Sequence, residues 1–368
     1  MNGPVVILAG GGTGGHISPG IAIAERVAEL EPAARCVFAC SRREVDREML
    51  AHAGAEFEAI PAEGLSLRPS RLVRFVRAYL AGRRAARTLL DRVDASVVVS
   101  LGGYVTGPVA AAAHARGTPV LLVNLDAAPG KANRLVARGA RKVLTACPTP
   151  ALPGFAERVV GMPVRRQALA PAGRRACAER LALDPSRRTL LVTGASQGAT
   201  SLNDLVAILL REHRAAFDGW QALHLVGRAD PAPVEAAYRE AGVPAKVVAF
   251  LHDMGLAWGA ADLALSRAGA NSVAEAILNR VPTVFAPYPY HADEHQRHNA
   301  EPYAREGLAA LAKDEIDAER NLGTLGAALV GLMTGDAARD AMRAALEARP
   351  ADDAAREIAR EALDLARG

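Results

Sequence analysis

The 368-residue chain is predicted to be an α/β protein with two doubly wound parallel-sheet domains. Strand-like apolar runs alternate with helical patterns, and glycine-rich loops follow four of the runs. Strands buried on both faces of a sheet are almost continuously apolar, as these are. The runs are PVVILA, RCVFAC, ASVVVS, PVLLVN and RKVLTAC in the first 150 residues, then TLLV, ALHLVG, AKVVAF, ADLALS and PTVFAP.

A proline-rich break, CPTPALPGF followed by GMPV, separates the two series of strands. We therefore expect an N-terminal domain over 1–164, a C-terminal domain over 165–340, and a helical tail over 341–368 that packs back on the N-terminal domain. The length suits two domains. Half of the residues are hydrophobic, which is enough for two cores.

The composition indicates which kinds of binding partner the protein has and where it acts. The net charge of +4 suits an anionic ligand or surface, but is too small to indicate a nucleic-acid partner. No apolar run reaches the ~18 residues of a membrane span, and the N-terminus lacks a signal-peptide pattern. The four cysteines form no CxxC pair and are expected to be reduced thiols. We expect a soluble protein, or one attached to a membrane surface.

The first glycine-rich loop, GGGTGGHISPG at 10–20, formally satisfies the dinucleotide pattern G-x-G-x-x-G. That interpretation expects an acidic residue near the end of the second strand, but Arg42 and Arg43 stand there. Arginines can accept a 2′-phosphate, so an NADP-dependent oxidoreductase remains an alternative. His16, at the start of the following helix, indicates a polar site beside the loop, or else caps that helix.

The segment SRAGANSVAEAI at 266–277 predicts a diphosphate site. Its small residues form a turn at a helix N-terminus, where unpaired N–H groups and the helix dipole favour anions. Glu275, one turn further in, can accept hydrogen bonds from ribose hydroxyls, or merely complement the dipole. Ser196, Gln197 and Gly198 in a facing loop would approach the same phosphates, or form only a tight turn.

The stretch APYPYHADEHQRHNAE at 286–301 suits sugar hydroxyls. Gln296 and Asn299 are three residues apart, on one predicted helix face, and amides both donate and accept hydrogen bonds. Three histidines also lie there: His291, His295 and His298. No matching set of thiolates or carboxylates accompanies them, and the chain has no Asp-x-Asp motif, so no metal is expected.

The segment at 65–90 contains seven arginines and no acidic residue. Apolar residues recur at helical spacing among them: Leu72, Phe75, Val76, Tyr79 and Leu80. This pattern is typical of an amphipathic helix on an anionic membrane. It is equally typical of a helix that packs on the sheet and presents a basic face to solvent.

Taken together, these motifs resemble those of the peptidoglycan N-acetylglucosaminyltransferases of the GT-B superfamily, which convert lipid I to lipid II. The resemblance extends from residue 5 to about 340. It is carried, in the family's order and approximate spacing, by GGTGGHISPG, LGGYVTGP, PGKANR, MPVR, GASQGA, HDM, SRAGANSVAE and DEHQRHNA.

The resemblance implies two Rossmann-like domains that face each other across a cleft. It implies inverting transfer of GlcNAc from UDP-GlcNAc to the 4-hydroxyl of undecaprenyl-diphospho-MurNAc-pentapeptide, as a step of peptidoglycan synthesis. The enzyme would need no metal and no cofactor, and would act peripherally at the cytoplasmic face of the cell membrane.

The resemblance also implies roles for individual residues. His16 is the candidate base, Glu275 would bind the ribose, and Gln296 would contact GlcNAc. Leu251 and Met254 would lie near uracil. The full set of implied substrate-binding residues is Thr13, Gly14, Gly15, Asn124, Asp126, Arg165, Ser196, Gln197, Gly198, Leu251, Met254, Ala270, Asn271, Ser272, Val273, Ala274, Glu275, Gln296 and Asn299.

Three positions depart from the family pattern. Asn124-Leu125-Asp126 replaces Glu-Gln-Asn, Met162 replaces the Asn of G-N-P-V-R, and a glycine-rich stretch near residue 64 is reduced to EGLSLRPS. These changes fall mainly on the acceptor side and the hinge. A paralogue with another lipid-linked acceptor and a non-catalytic scaffold at the membrane therefore stay open as alternatives, beside the oxidoreductase.

Overall fold

A computed structural model describes residues 3–11, 14–64, 69–194, 198–290, 294–350 and 352–368. The chain forms two compact units. Unit 1 contains Met1–Arg165 and Asp352–Gly368, and unit 2 contains Arg166–Ala351. Each unit has its own parallel sheet covered by helices, which confirms the predicted α/β class and the two Rossmann-like domains.

Unit 1 contains a seven-stranded sheet of order β3-β2-β1-β4-β5-β6-β7, with every neighbouring pair parallel. The order reverses between β1 and β4. The strands are β1 (Val5–Gly10), β2 (Arg35–Cys40), β3 (Glu56–Ala59), β4 (Val97–Gly102), β5 (Val120–Asn124), β6 (Lys142–Thr145) and β7 (Arg158–Val159).

Helices cover both faces of this sheet and bury an apolar cluster on each. One cluster includes residues of α1 and α15, and the other includes residues of α3 and α4. The helices of unit 1 are α1 (Gly14–Leu30), α2 (Glu44–His52), α3 (Pro69–Arg92), α4 (Thr106–Arg116), α5 (Lys131–Ala137) and α15 (Ala354–Arg367).

Unit 2 repeats the same winding in a six-stranded parallel sheet of order β10-β9-β8-β11-β12-β13. Here the order reverses between β8 and β11. The strands are β8 (Arg188–Thr193), β9 (Trp220–Leu225), β10 (Ala245–Val248), β11 (Leu263–Ser266), β12 (Thr283–Phe285) and β13 (Ala310–Leu311).

Unit 2 also has helices on both faces of its sheet, with one apolar cluster under each layer. Its α-helices are α6 (Arg174–Arg180), α7 (Thr200–Glu212), α8 (Ala232–Glu240), α9 (Met254–Ala260), α10 (Ala270–Leu278), α11 (His295–Arg305), α12 (Ala318–Asn321), α13 (Ala327–Thr334) and α14 (Asp336–Ala348). A 3-10 turn at Arg166–Ala168 opens the unit, and a π-helical turn at Leu322–Gly326 links α12 to α13.

The ten strand-like runs all contain strands. Three further strands, β3, β7 and β13, have no matching prediction because they are only two to four residues long. The limits of the units also differ from the predicted domains. Unit 2 continues past residue 340 to Ala351, and α14 belongs to it, so only the last 17 residues of the predicted tail belong to unit 1.

No helix within the described ranges is both long and apolar enough to cross a bilayer. The four cysteines are free thiols. Burial raises the pKa of Cys36 and of Cys147 to about 12, which keeps both protonated and unreactive at neutral pH.

Candidate active site

The first cluster of site residues lies where the sheet order of unit 1 reverses. Ligands of doubly wound sheets bind beyond the carboxyl ends of the strands at such a point. The loop after β1 packs closely on the loop after β4. Gly103 has a φ of +86°, and a Cβ there would lie 2.1 Å from the carbonyl oxygen of Gly11. The close approach of the two loops therefore requires glycine.

His16 lies in the first turn of α1, against the end of β4. A Cβ at Gly102, where φ is +110°, would lie 2.9 Å from the Cδ2 and Nε2 atoms of His16. Burial lowers the pKa of the imidazole, while the negative charges of Asp126 and Asp46 oppose that shift. The ring is therefore neutral at pH 7 and able to accept a proton.

Asn124 has an internal role that the sequence did not predict. It is fully buried at the end of β5. Its side-chain amide donates to the carbonyl of Asp126 and, over 3.1 Å, to Thr145 Oγ1, and its oxygen accepts from Asn133 Nδ2 at 2.9 Å. Both polar atoms of its side chain thus have partners inside unit 1, and its contact with a substrate stays a prediction. Asn124 shapes the loop that carries the half-exposed Asp126.

The second cluster lies where the sheet order of unit 2 reverses, at the ends of β8 and β11. Gly198, in the loop after β8, has a φ of +74°, and a Cβ there would lie 2.6 Å from the carbonyl oxygen of Val226. This loop therefore lies directly on the end of β9. The neighbouring Ser196 and Gln197 fall outside the described residues.

The N-terminus of α10 follows β11 directly and is partly accessible to solvent. Its N-cap residue, Gly269, has no side chain to accept hydrogen bonds from the first turn. The residues predicted to bind the diphosphate there include Ala270, Asn271 and Ser272, which are all half-exposed. The N–H groups of a first helical turn lack intrahelical partners and attract anions.

Two members of the predicted turn, Val273 and Ala274, are buried. Val273 is part of the apolar cluster of unit 2, and its amide donates to the carbonyl of Gly269 at 2.9 Å. Burial of both side chains and the bonded amide of Val273 leave the first three residues of α10 as the more accessible part of the turn, and the substrate contacts of Val273 and Ala274 stay predictions.

Glu275 is half-buried on the next turn of α10 and is held by a partner that the sequence analysis missed. The indole Nε1 of Trp258, on α9, donates to Glu275 Oε2 at 3.0 Å. Leu251 and Met254, the residues placed near uracil by resemblance, are half-buried before and at the start of α9, and both pack against the apolar cluster. Helix α9 thus connects the predicted base-binding segment to the predicted ribose-binding carboxylate.

A buried ion pair, also missed, links the loops around α10. Arg267 Nη1 lies 2.6 Å from Asp314 Oδ2, and Arg267 Nη2 donates to Ser201 Oγ at 2.9 Å. Burial favours a raised pKa for Asp314, but hydrogen bonds from Ser201, Asn321 and the Ile316 backbone, with the charge of Arg267, lower the pKa instead. The carboxylate is therefore ionised although it is buried.

The two amide residues predicted to face a sugar have different surroundings. Gln296 is half-exposed on α11, and its Oε1 accepts from the backbone N–H of Tyr288 at 3.0 Å. Asn299 is buried, and its Nδ2 donates to the carbonyl of Ala268 at 3.2 Å. Asn299 therefore supports the turn before α10, and its contact with a sugar stays a prediction.

The other predicted site residues lie at the start of α1 and at the end of unit 1. Gly14 and Gly15 form the start of α1, whereas Thr13 lies outside the described residues. Arg165 ends unit 1, and its Nε is buried without a hydrogen-bond partner among the residues that the structure describes. Within the same residues, no group of three or more His, Cys, Asp or Glu side chains is arranged to hold a metal. His291 falls outside them.

Sequence motifs offered little sign of the missed residues. Arg267 lies inside the SRAGANSVAE motif, so the motif drew attention to it. The motif did not indicate that Arg267 is a buried counter-ion. Trp258 and Asp314 lie outside every motif. Their partners are 17 residues away in the chain for Trp258 and Glu275, and 113 for Asp314 and Ser201.

Family models match both units. The model described as the glycosyltransferase family 28 N-terminal domain matches residues 6–145, and the one described as the family 28 C-terminal domain matches 189–358. This result contradicts the NADP-dependent oxidoreductase alternative.

Curated relatives and a solved structure agree with the family models. A protein of Nocardioides sp. is 39% identical over 99% of this chain and 98% of its own length, and one of Sorangium cellulosum is 37% identical over 98% and 88%. Both are named UDP-N-acetylglucosamine--N-acetylmuramyl-(pentapeptide) pyrophosphoryl-undecaprenol N-acetylglucosamine transferase. The crystal structure of Acinetobacter baumannii MurG matches with a TM-score of 0.74 and 25% identity, over 98% of this chain and 99% of that one.

A more distant structure shows the shared fold alone. A UDP-glucosyltransferase of Polygonum tinctorium matches with a TM-score of 0.70 at 15% identity, over 100% of this chain and 99% of that one. The architecture is thus that of the GT-B glycosyltransferases. On these matches, the chain belongs to glycosyltransferase family 28, among the MurG-type N-acetylglucosaminyltransferases.

Proposed function

We propose that the protein transfers GlcNAc from UDP-GlcNAc to the 4-hydroxyl of undecaprenyl-diphospho-MurNAc-pentapeptide, with inversion, and so forms lipid II. Full-length relatives with that named activity support the substrates. The observation that carries the donor side is the N-terminus of α10. It offers accessible amides for a diphosphate and a fixed carboxylate, Glu275, one turn further in.

We propose a single displacement at the anomeric carbon. The acceptor oxygen forms a bond to C1 while the bond from C1 to the diphosphate oxygen breaks, and its electron pair leaves with UDP. The proton of the attacking hydroxyl passes to the neutral imidazole of His16. The amides of Ala270, Asn271 and Ser272, with the guanidinium of Arg165, stabilise the negative charge that develops on the leaving diphosphate.

A transfer assay with UDP-GlcNAc and a soluble lipid I analogue tests this function. We expect the product with inverted anomeric configuration, and the same turnover in excess EDTA, because amides and an arginine replace a metal ion in this proposal. Donor hydrolysis without transfer to this analogue would indicate a different lipid-linked acceptor. UDP binding without any turnover would indicate the scaffold alternative.

Calorimetry with UDP tests the donor site separately. We expect Glu275→Ala to weaken UDP binding by about tenfold, the effect of losing hydrogen bonds to a charged group. Glu301→Ala is the matched control, because Glu301 is a half-buried carboxylate of α11 that pairs with Arg305, and it should bind UDP as the parent does. Equal affinities of the parent and Glu275→Ala would contradict the ribose contact.

We further propose that α3 attaches the protein to an anionic membrane at the cytoplasmic face. Four apolar side chains of α3 are 40–60% exposed, and we call them the α3 patch: Leu72, Val73, Val76 and Leu80. Exposed arginines lie on the same helix: Arg74, Arg77, Arg83 and Arg84. Phe75 and Tyr79 are half-buried, with ring centroids 6.1 Å apart, and so belong to the packed side.

Vesicle sedimentation tests the α3 patch. Apolar area and basic charge together favour an anionic surface. We expect binding to phosphatidylglycerol vesicles that weakens in high salt, and at least tenfold weaker binding for the double variant Val73→Glu/Val76→Glu. Val45→Glu is the matched control, because Val45 is 40% exposed on another helix, α2. Undiminished binding of the double variant would contradict the proposal.

A further inference from the structure

We infer that Trp258 is a positioning residue: its indole N–H holds the carboxylate of Glu275 in the orientation that receives the ribose hydroxyls of the donor nucleotide. This inference rests on the proposed role of Glu275. It adds a residue from a different helix, and it predicts that discrimination between ribose and deoxyribose depends on an indole that does not itself touch the ligand.

The burial of Trp258 explains why the contact is obligatory. The residue is 1% exposed and packs in the apolar cluster of unit 2. A buried indole N–H needs an acceptor, because an unsatisfied donor is costly away from water. Glu275 Oε2, at 3.0 Å, is that acceptor. The interaction orders the carboxylate of a residue that is itself only half-buried, so one of its oxygens has a fixed direction.

Trp258 can impose this orientation because α9 is itself fixed in place. A Cβ at Gly255 would lie 2.2 Å from the carbonyl oxygen of Leu169, so the helix is in direct contact with that segment. Asn279 at the end of α10 donates to the carbonyls of Ala168 and Glu275, at 2.8 and 2.7 Å. The segment before α6 thus contacts both α9 and α10, and the indole and carboxylate keep their separation.

The same helix connects two parts of nucleotide recognition. Met254, predicted to lie near uracil, is four residues before Trp258 and therefore on the same helix face. Helix α9 would then position both parts of the nucleotide: the uracil directly at its start, and the ribose through the contact of Trp258 with Glu275. We therefore expect loss of the indole N–H to affect ribose recognition selectively.

Calorimetric titration with two nucleotides tests the inference: UDP and 2′,3′-dideoxyuridine diphosphate, which lacks both ribose hydroxyls. We expect the parent to prefer UDP. Trp258→Phe should bind UDP about tenfold more weakly, in line with the loss of a hydrogen bond to a charged group, and bind the dideoxy nucleotide within twofold of the parent.

Trp220→Phe is the matched control. Trp220 is also 1% exposed in unit 2, but lies at the start of β9, where Arg188 and Arg339 flank its ring at 5.0 and 5.3 Å. It should keep the parental preference for UDP. Because Phe is smaller than Trp, a second variant replaces Trp258 with β-(3-benzothienyl)alanine, which preserves the two-ring shape and lacks only the N–H. It should reproduce the selective loss.

The outcomes separate the inference from the proposed function. If the parent binds both nucleotides equally, the ribose contact of Glu275 fails, and the inference fails with it. If the parent discriminates and both Trp258 variants discriminate equally well, the role of Glu275 stands and the inference is overturned. Equal weakening of both nucleotides by the benzothienyl variant would likewise overturn it, because that result describes a purely structural residue.

Discussion

At the scale of single residues, burial and nearby negative charges shift the pKa of His16 in opposite directions. Burial against the end of β4 disfavours the charged imidazolium, whereas Asp126 and Asp46 favour it. The net effect is a lowered pKa, so the proposed base is neutral at the pH of a cell interior. The sequence marked His16 and Asp126 separately. Their coupling exists because the loops after β1 and β5 reach the same end of the sheet.

The pH dependence of kcat/KM tests this coupling. A base acts only when neutral, so activity is present above the pKa of His16 and is lost as the pH falls through it. Because that pKa is lowered, we expect the acid limb below pH 6.5. Asp126→Asn removes a negative charge that raises the pKa of His16. The acid limb of the kcat/KM profile of this variant should therefore lie at still lower pH.

Asp94→Asn is the control for that measurement, since Asp94 is highly exposed and pairs with Arg116. Its acid limb should coincide with that of the parent. A limb for Asp126→Asn at higher pH than the parental one would contradict the assignment of His16 as the titrating group.

At the scale of elements, the proposed donor site consists of α10 and the groups that anchor its surroundings. Arg267, at the end of β11, bonds to the carbonyl of Ala286 after β12 and to Ser201 in the first turn of α7. Asp314 accepts from the same Ser201 at 2.6 Å. This network ties together three strand-to-helix connections around the N-terminus of α10. It is a buried ion pair in which each charge depends on the other.

Removing one member of that pair should destabilise unit 2. We expect Arg267→Met to lower the free energy of unfolding by about 3–5 kcal/mol, because it leaves the carboxylate of Asp314 buried and uncompensated. The double variant Arg267→Met/Asp314→Leu should regain at least half of that loss. Urea unfolding followed by tryptophan fluorescence measures it, since both tryptophans lie in unit 2. A double variant less stable than Arg267→Met would contradict this explanation.

At the scale of the whole molecule, the last helix does not belong to the unit that precedes it in the chain. Helix α15 packs in unit 1, where Ile358 is fully buried in the same cluster as residues of β1, β4 and α1. Polar contacts border the helix: Lys142 pairs with Glu361 at 2.6 Å, and Arg26 with Asp353 at 2.8 Å. The N-terminal fold is therefore complete only once the C-terminal residues are present.

This arrangement predicts which unit a mutation in α15 destabilises. Ile358→Ala should cost about 2–5 kcal/mol, the range for emptying part of a packed core. The loss should appear as an earlier urea transition by far-UV circular dichroism, with the tryptophan-fluorescence transition of unit 2 unmoved. An equal shift of the fluorescence transition would contradict an effect confined to unit 1. Ile358→Val is the milder control, at about 0.5–1.5 kcal/mol.

The sequence by itself determined the features that depend on local pattern. Apolar runs and helical periodicity predicted ten of the strands and the α/β class, because a strand buried on both faces must be apolar along its whole length. Glycine-rich loops at the strand ends predict a ligand site there, and the joint order of the motifs indicated the family that the family models confirm. The amides at Ala270 and the carboxylate of Glu275 were predicted from the chemistry of a helix N-terminus.

Only the tertiary structure decided which polar groups are already occupied. Asn124 and Asn299 look like ligand contacts in the sequence, yet each is buried and bonded inside its own unit. Trp258 and Asp314 carry no sequence signal, yet they hold Glu275 and Arg267 in place around the N-terminus of α10. The physical reason is that a hydrogen bond or ion pair depends on separation in space, and folding brings together residues whose separation along the chain has no fixed value.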